Sequence, residues 1–321
     1  MADQKLNSSD YFTIAFYNLE NLFDTFDDRL TNDNDFLPKS EKRWTEKRYR
    51  KKVRKLGYAI SQIGTQTAKK LPTIIGLAEV ENKLVIDDLL NSKFLKDHNY
   101  KFVHYDSPDE RGIDVALIYD ETVFKVEYSE VFPLDLYDED GNRDYTRDIL
   151  LVDGYLNNEN LTFLVNHWPS RHQGEELTEP NRILASDKVQ EIITNLKSSN
   201  PDSKIIVMGD FNDGPNNKSI KQLVNKTDLF NPMESLKSYL RGSLNHRLDW
   251  YLFDQILFTT NFFEYKTNTH SFSKGNIFDS EFLKQYKGKY RGVPFRTYVG
   301  LKYKGGYSDH FPVFIHLKRI L

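Results

Sequence analysis

The sequence predicts an α+β fold in which two β-sheets pack together with helices on the outside. Three observations predict it. Short apolar segments recur at hairpin-like spacing, amphipathic helical segments interrupt them, and neither an internal repeat nor a low-complexity linker divides the 321 residues. Layering sheets and helices buries the apolar faces of both. Hydrophobic residues are 39% of the chain and aromatics 14%, which supports one large core and argues against global disorder. Residues 11–321 therefore read as a single domain after a flexible N-terminus at 1–10.

The elements follow in order. "YFTIAFYNL" (11–19) alternates and is rich in aromatics, so it reads as a strand. From Thr45 to Ile63 the apolar residues Tyr49, Val53, Leu56, Ile60 and Ile63 recur at three and four, which predicts an amphipathic helix. "PTIIGLAEV" (72–80) is a short apolar run with a polar end, a buried strand, and "VIDDLLNSKFL" continues as a helix. Strands are expected near 100–105, 113–119, 123–131, 148–156 and 161–166. Thr178 is suited to N-cap a helix with Pro180 in its first turn and Ala185, Val189, Ile192 and Leu196 on one face. Further strands are expected at 204–208, 252–258 and 311–317. The stretch 265–307, rich in Gly, Lys, Tyr and Asn, reads as a long loop region.

Composition narrows the chemistry. The net charge is −3 despite 44 basic residues, so any affinity for nucleic acid has to come from a local patch. There is no cysteine, which excludes disulfides, thiolate catalysis and thiolate-held zinc or iron–sulfur centres. "MADQKLNSSD" holds no apolar h-region, and no run approaches a membrane span. The expectation is a monomer without a transmembrane segment, cytoplasmic by default, with secretion after loss of a signal peptide left open.

The ends of the apolar strands share a chemical character. "FYNLEN" presents Asn18, "GLAEVEN" Glu79, "LVNHWPSR" His167, and "VMGDFND" Asp210 and Asn212; "YLFDQILF" embeds Asp254, and "GYSDHFPVF" places Asp309 and His310 before a strand. Singly, each has a plain structural reading. Asn18 suits a bulge, Glu79 a strand end, His167 a packed loop and Asp213 a turn. Asp254 is harder to dismiss, because a carboxylate among apolar neighbours needs a partner, and a histidine suits it. Asp249 is an alternative, but its setting is less apolar. Six such elements together point to one site. Oxygen ligands with few histidines and no thiolate suit a hard divalent cation, Mg²⁺, Mn²⁺ or Ca²⁺, with zinc less natural.

At these residues the sequence resembles the endonuclease/exonuclease/phosphatase superfamily, from Asn18 to His310 and in the superfamily's order. "GDFN" and "SDHFPV" are the most specific parts. "NLENLFD", "EVEN", "RGIDVALIY" and "NHWPSR" resemble a bacterial branch. The resemblance implies a four-layer α/β/β/α sandwich with two mixed sheets. It implies a divalent metal, usually Mg²⁺, held by Glu79, with Asn18 and Asp309 nearby. Asp210 would activate water, Asn212 would bind the phosphate or that water, and His310 would contact the phosphate, held by Asp254. His167 would assist at the leaving group. The expected activity is metal-dependent hydrolysis of a phosphate ester, nuclease-like and on a diester. A phosphomonoesterase acting on a small or lipid-linked phosphate, and an inactive binding protein of the same fold, are the alternatives. Nucleases of the pancreatic type carry a DNA-contacting arginine soon after the metal glutamate. Here Val80, Glu81 and Asn82 follow, and a carboxylate repels a polyanion.

Four arginines near strand ends could fork onto a phosphate or serve as surface ion pairs: Arg111, Arg147, Arg171 and Arg296. Arg171 lies four residues after His167, and "SRHQGEE" adds a glycine loop suited to a lid. "KRWTEKRYRKKVRK" (42–55) carries nine basic residues and reads more readily as a solvated helix face than as an anion-binding surface. The acidic stretch 23–36 lacks the EF-hand pattern and reads as a polar loop, with Asp24 a minor candidate.

Overall fold

The computed structural model describes residues 10–138, 140–172 and 174–321. Residues 1–9 of the expected N-terminal segment, and Gln173 of the glycine loop, lie outside them. Two six-stranded mixed sheets carry the fold. The strands are β1 (Tyr11–Leu22), β2 (Ile74–Val80), β3 (Tyr100–His104), β4 (Asp114–Asp120), β5 (Phe124–Phe132), β6 (Ile149–Leu156), β7 (Glu159–His167), β8 (Ile205–Asp210), β9 (Leu229–Phe230), β10 (Asp254–Thr259), β11 (His270–Ile277) and β12 (Val313–Arg319). The first sheet runs β11-β12-β1-β2-β4-β3 and the second β9-β10-β8-β7-β6-β5.

Each sheet has one parallel pair, β1 with β2 and β7 with β8, flanked by antiparallel neighbours. This topology sets where the chemistry collects. Parallel neighbours end at the same edge, and an antiparallel neighbour starts there. The ends of β1, β2, β7 and β8 and the starts of β10 and β12 therefore meet at one end of the sandwich.

Side-chain alternation explains the apolar runs. Along β8, Ile206 and Met208 enter the core between the sheets, whereas Ile205 and Val207 enter a second core beneath helices. A strand buried on both faces reads as continuously apolar. Gly76 marks the close approach of the sheets: a Cβ there would lie 2.5 Å from Met208 Sδ.

Helices α1 (Glu46–Gln62) and α2 (Lys83–Leu90) cover the first sheet with Val53, Leu56, Ile60, Val85, Ile86 and Leu89. Helices α3 (Glu175–Ser199) and α4 (Lys218–Thr227) cover the second with Ala185, Val189, Ile192, Ile220 and Leu223. The result is four layers. Among the described residues no helix is long and apolar enough to cross a membrane.

Two local expectations are corrected. Helix α3 starts at Glu175 behind Gly174, so Thr178 is not its cap; the Thr178 hydroxyl donates to the Gly174 carbonyl at 2.7 Å and accepts from Arg182 at 2.6 Å. The acidic pair Glu175 and Glu176 suits the positive end of the helix better. The stretch 265–307 is not one loop, because it holds edge strand β11 and a small hairpin of Tyr298–Val299 with Lys302–Tyr303. Strand β11, "HSFSKGNI", is half exposed at a sheet edge and so lacks an apolar signature.

Candidate active site

On the inner face of the second sheet, His167 shares the alternation of Phe163 and Val165, Asp210 that of Met208, and Asp254 that of Ile256. These polar ends therefore point between the sheets, where β8 pairs Asp210 with both His167 and Asp254. From the opposite sheet, Asn18 donates its amide to Asp210 Oδ2 at 3.0 Å. His310 arrives on the segment before β12. Ser308 fastens that segment by donating to the Asn18 carbonyl at 2.7 Å and accepting from the His310 N–H at 3.0 Å.

His310 Nδ1 lies 2.7 Å from Asp254 Oδ2, and its Nε2 lies 3.8 Å from Asp210 Oδ2. His167 Nε2 is likewise 3.8 Å from Asp210 Oδ2. Asp210 Oδ1 accepts from the Asn212 backbone N–H at 3.0 Å. One carboxylate is thus faced by two imidazoles and two amides.

The environment divides the titrations. Burial raises the Asp210 carboxyl to about 6, with Asp254 adding to the rise and His310 opposing it. Burial pulls His310 down, but Asp254 and Asp210 overcome it and hold the imidazolium well above the usual histidine range. His167 goes the other way: burial, then Arg147 and Arg111, keep it neutral.

The extended geometry stops at Asp210. Asn212 adopts φ 49°, so it does not continue the strand's alternation, and its amide donates to the Trp168 carbonyl at 2.9 Å. Asp213 is more than a turn residue. It is 1% exposed, with Arg171 at 2.6 Å, Arg182 at 2.8 Å and the Ser219 hydroxyl at 2.5 Å. Removing one partner from a buried ion pair strands the other charge. Asp213→Ala should therefore lower the unfolding free energy by about 3–5 kcal/mol in a denaturant titration.

Around the mouth lies a set of carboxylates. Glu79 sits in a β-bulge at φ 60° and accepts from the Asn21 N–H at 2.7 Å. Glu20 and Asn21 also have positive φ, at 52° and 54°. Such backbone is uncommon outside glycine and clusters at functional sites. Asp309 pairs with Arg296 at 2.8 Å. Sequence reading missed Glu20 and Lys52. Glu20 accepts from the Thr297 N–H at 2.6 Å and seats the segment bearing Arg296; its carboxyl is raised to about 7 by burial and by Asp309. Lys52, 2% exposed, donates to the Glu20 carbonyl and, at 2.8 Å, to the Thr297 hydroxyl. The basic run 42–55 is thus not wholly a solvated face. The one available signal was that Lys52 falls between Tyr49 and Leu56 on the apolar stripe.

The arginines part ways. Arg111, at the mouth, donates to Asn21 Oδ1 at 2.5 Å and lies 4.0 Å from Glu79; Arg296 is 45% exposed there. Arg147 is buried, donating to Asp109 at 3.0 Å and to the Trp168 carbonyl at 2.9 Å. Arg171 donates to the Asn212 carbonyl at 2.6 Å and to Asp213. These last two brace the strand ends that carry His167 and Asn212.

Glu79, Asp309 and Asn18 offer only oxygen donors, two of them carboxylates faced by Arg111 and Arg296, and such donors fit a hard divalent cation. Among the described residues, two groups of three titratable side chains bring possible ligand atoms together: Asp210, Asp254 and His310, and, elsewhere, His104, Asp106 and Asp114.

The sequence model of the Endonuclease/Exonuclease/phosphatase family matches residues 13–319. No curated protein matches the sequence. Solved structures share the fold. An endonuclease/exonuclease/phosphatase family protein from Bacteroides thetaiotaomicron is 18% identical with a TM-score of 0.61, over 96% of this chain and 97% of that one. The mannosyl-6-phosphatase of B. thetaiotaomicron VPI-5482 is 17% identical with a TM-score of 0.59, over 95% and 99%. TDP2 from D. rerio, complexed with a single strand DNA product, is 13% identical with a TM-score of 0.57, over 96% and 99%.

Proposed function

The chain belongs to the endonuclease/exonuclease/phosphatase family, and on that premise we propose that it is a divalent-metal-dependent phosphoester hydrolase acting on phosphodiesters. The observation that carries the reading is the convergence of Asn18, His167, Asp254 and His310 on Asp210 between the sheets.

In this reading Asp210 is the general base. With its carboxyl near 6 it is ionised at neutral pH yet basic enough to take a proton from water. Asn18 and the Asn212 N–H each donate to one of its oxygens and so fix the carboxylate's orientation. Asp254 holds His310 Nδ1, so that Nε2 presents a charged donor to the phosphate. His167, kept neutral, donates a hydrogen bond at the leaving oxygen. Arg111 and Arg296 contact the phosphate at the mouth. Arg147 and Arg171 position Trp168 and Asn212.

Glu79, with Asp309 and Asn18, would hold the cation, Mg²⁺ with Mn²⁺ or Ca²⁺ as alternatives. When bound, it neutralises charge on the phosphoryl oxygens and the leaving alkoxide.

The test is turnover of bis-p-nitrophenyl phosphate and p-nitrophenyl phosphate with each of the three metals. Faster diester hydrolysis supports the reading. Faster monoester hydrolysis favours a phosphomonoesterase, and no turnover with any metal favours a binding protein of this fold. Glu79→Gln should raise the metal concentration for half-maximal activity, read from a titration of rate against metal. An unchanged titration removes Glu79 from the cation's ligands.

A further inference from the structure

Beside the site, and sharing Arg296 and Asp309 with it, opens a cleft of about 410 Å³. Its remaining charged lining is all basic: Arg247, Lys287, Lys289 and Lys304. Among the described residues none of these four has a carboxylate within ion-pair distance, although acidic residues outnumber basic ones, 47 to 44, in the whole chain. The one carboxylate of the lining, Asp309, is taken by Arg296, so among the described residues the four other cations around this concavity focus a positive potential without an ion-pair partner.

The backbone is arranged to present them. Arg247 and Leu248 form the two-residue turn between Leu244–His246 and Asp249–Tyr251, with φ 52° and 77°. Turns with both central residues at positive φ favour Asn-Gly, so Arg-Leu accepts strain to project Arg247. Lys287 and Lys289 flank Gly288 at a loop tip, closed at its base by the Gln285 N–H donating to Val293 at 2.8 Å and the Gly292 N–H donating to Gln285 at 2.9 Å. Gly288 has φ 81° with open space around it. The tip therefore stands free over the cleft, with Tyr290 exposed beside it.

We infer that this cleft is an anion subsite that takes a further phosphate group of the substrate, so that the enzyme prefers esters carrying more than one phosphate. The inference rests on the hydrolase reading for where the scissile phosphate sits, and on the cleft alone for the second anion. One phosphate lies against Arg296, His310 and Asp210, and its neighbour is received by Lys287, Lys289, Lys304 and Arg247. Both a nucleic-acid strand and a small bisphosphate offer that chemistry.

The test has a binding arm and a turnover arm on the full chain. Inorganic tripolyphosphate is titrated calorimetrically against wild type, a Lys287→Ala/Lys289→Ala double variant, and Arg247→Asn, which suits the turn. The double variant should bind about tenfold more weakly, the size expected for losing charge-assisted contacts. A single-stranded oligonucleotide and a sugar bisphosphate then separate the sources. Affinity that grows with oligonucleotide length, with a salt slope shallower by about one per cation removed, identifies a strand. Tight binding of the bisphosphate without that growth identifies a small molecule. In turnover, the ratio of kcat/KM on the polyphosphorylated ester to that on bis-p-nitrophenyl phosphate should fall about tenfold in the double variant. Equal tripolyphosphate affinity in wild type and variants overturns the subsite, whatever the turnover. Variant-sensitive binding without hydrolysis of any ester retains the subsite and overturns the hydrolase reading.

Discussion

Asp210→Asn should lower kcat by roughly 10²–10⁴ while the far-UV spectrum and unfolding midpoint stay close to wild type. The carboxylate is where the whole site converges, with Asn18, the Asn212 N–H, His167 and His310 around it. An asparagine of the same shape can still fill the space but cannot take the proton. The pH profile of the wild type should carry the same signature. A base whose carboxyl is raised to about 6 is protonated and inactive below that value, so the rate should rise with pH through about 6. Near-normal turnover in Asp210→Asn would remove it from the base role.

Asp254→Asn should have the second largest effect, a fall in kcat of roughly 10²–10⁴ accompanied by a change in pH dependence. Asp254 is fully buried, and one carboxylate oxygen finds no hydrogen-bond partner among the described residues. Its other oxygen holds His310. Burial alone would favour neutral imidazole; Asp254, followed by Asp210, reverses that and keeps His310 charged. With its pKa raised, the imidazolium is present at low and neutral pH and is lost as pH climbs through the raised value, so activity should fall on the alkaline side. The variant should move that alkaline limb toward neutral pH. A reduced rate with an unmoved limb would assign the limb to another group and leave Asp254 a packing role.

Much of the fold was legible because burial writes itself into the chain. Strands buried on both faces are continuous apolar runs, and the stripes of α1 and α3 recur at three and four. The two sheets, the outer helices and their order follow from that. Strand β11 was hidden for the converse reason: an exposed edge strand carries no apolar pattern. Helix α3 begins before Thr178 because the acidic first turn outweighs a favourable cap residue further on.

The candidate site was legible as a list of polar strand ends, since a carboxylate such as Asp254 among apolar neighbours demands a partner whatever the fold. By itself the sequence determined the layered α+β class, the oxygen-rich and thiol-free chemistry, and the strands that end in it. Only the tertiary structure decided that these ends meet. Meeting depends on parallel pairs β1–β2 and β7–β8 finishing at one edge, and pairing partners hundreds of residues apart leave no local trace. The same holds for charge. Lys52 and Lys287 look alike in sequence, yet one is buried against Glu20 and Thr297 and the other, with no ion-pair partner among the described residues, lines an open cleft. Which carboxylates lie nearby, and whether water can reach, separates an internal brace from a cation free to take a phosphate.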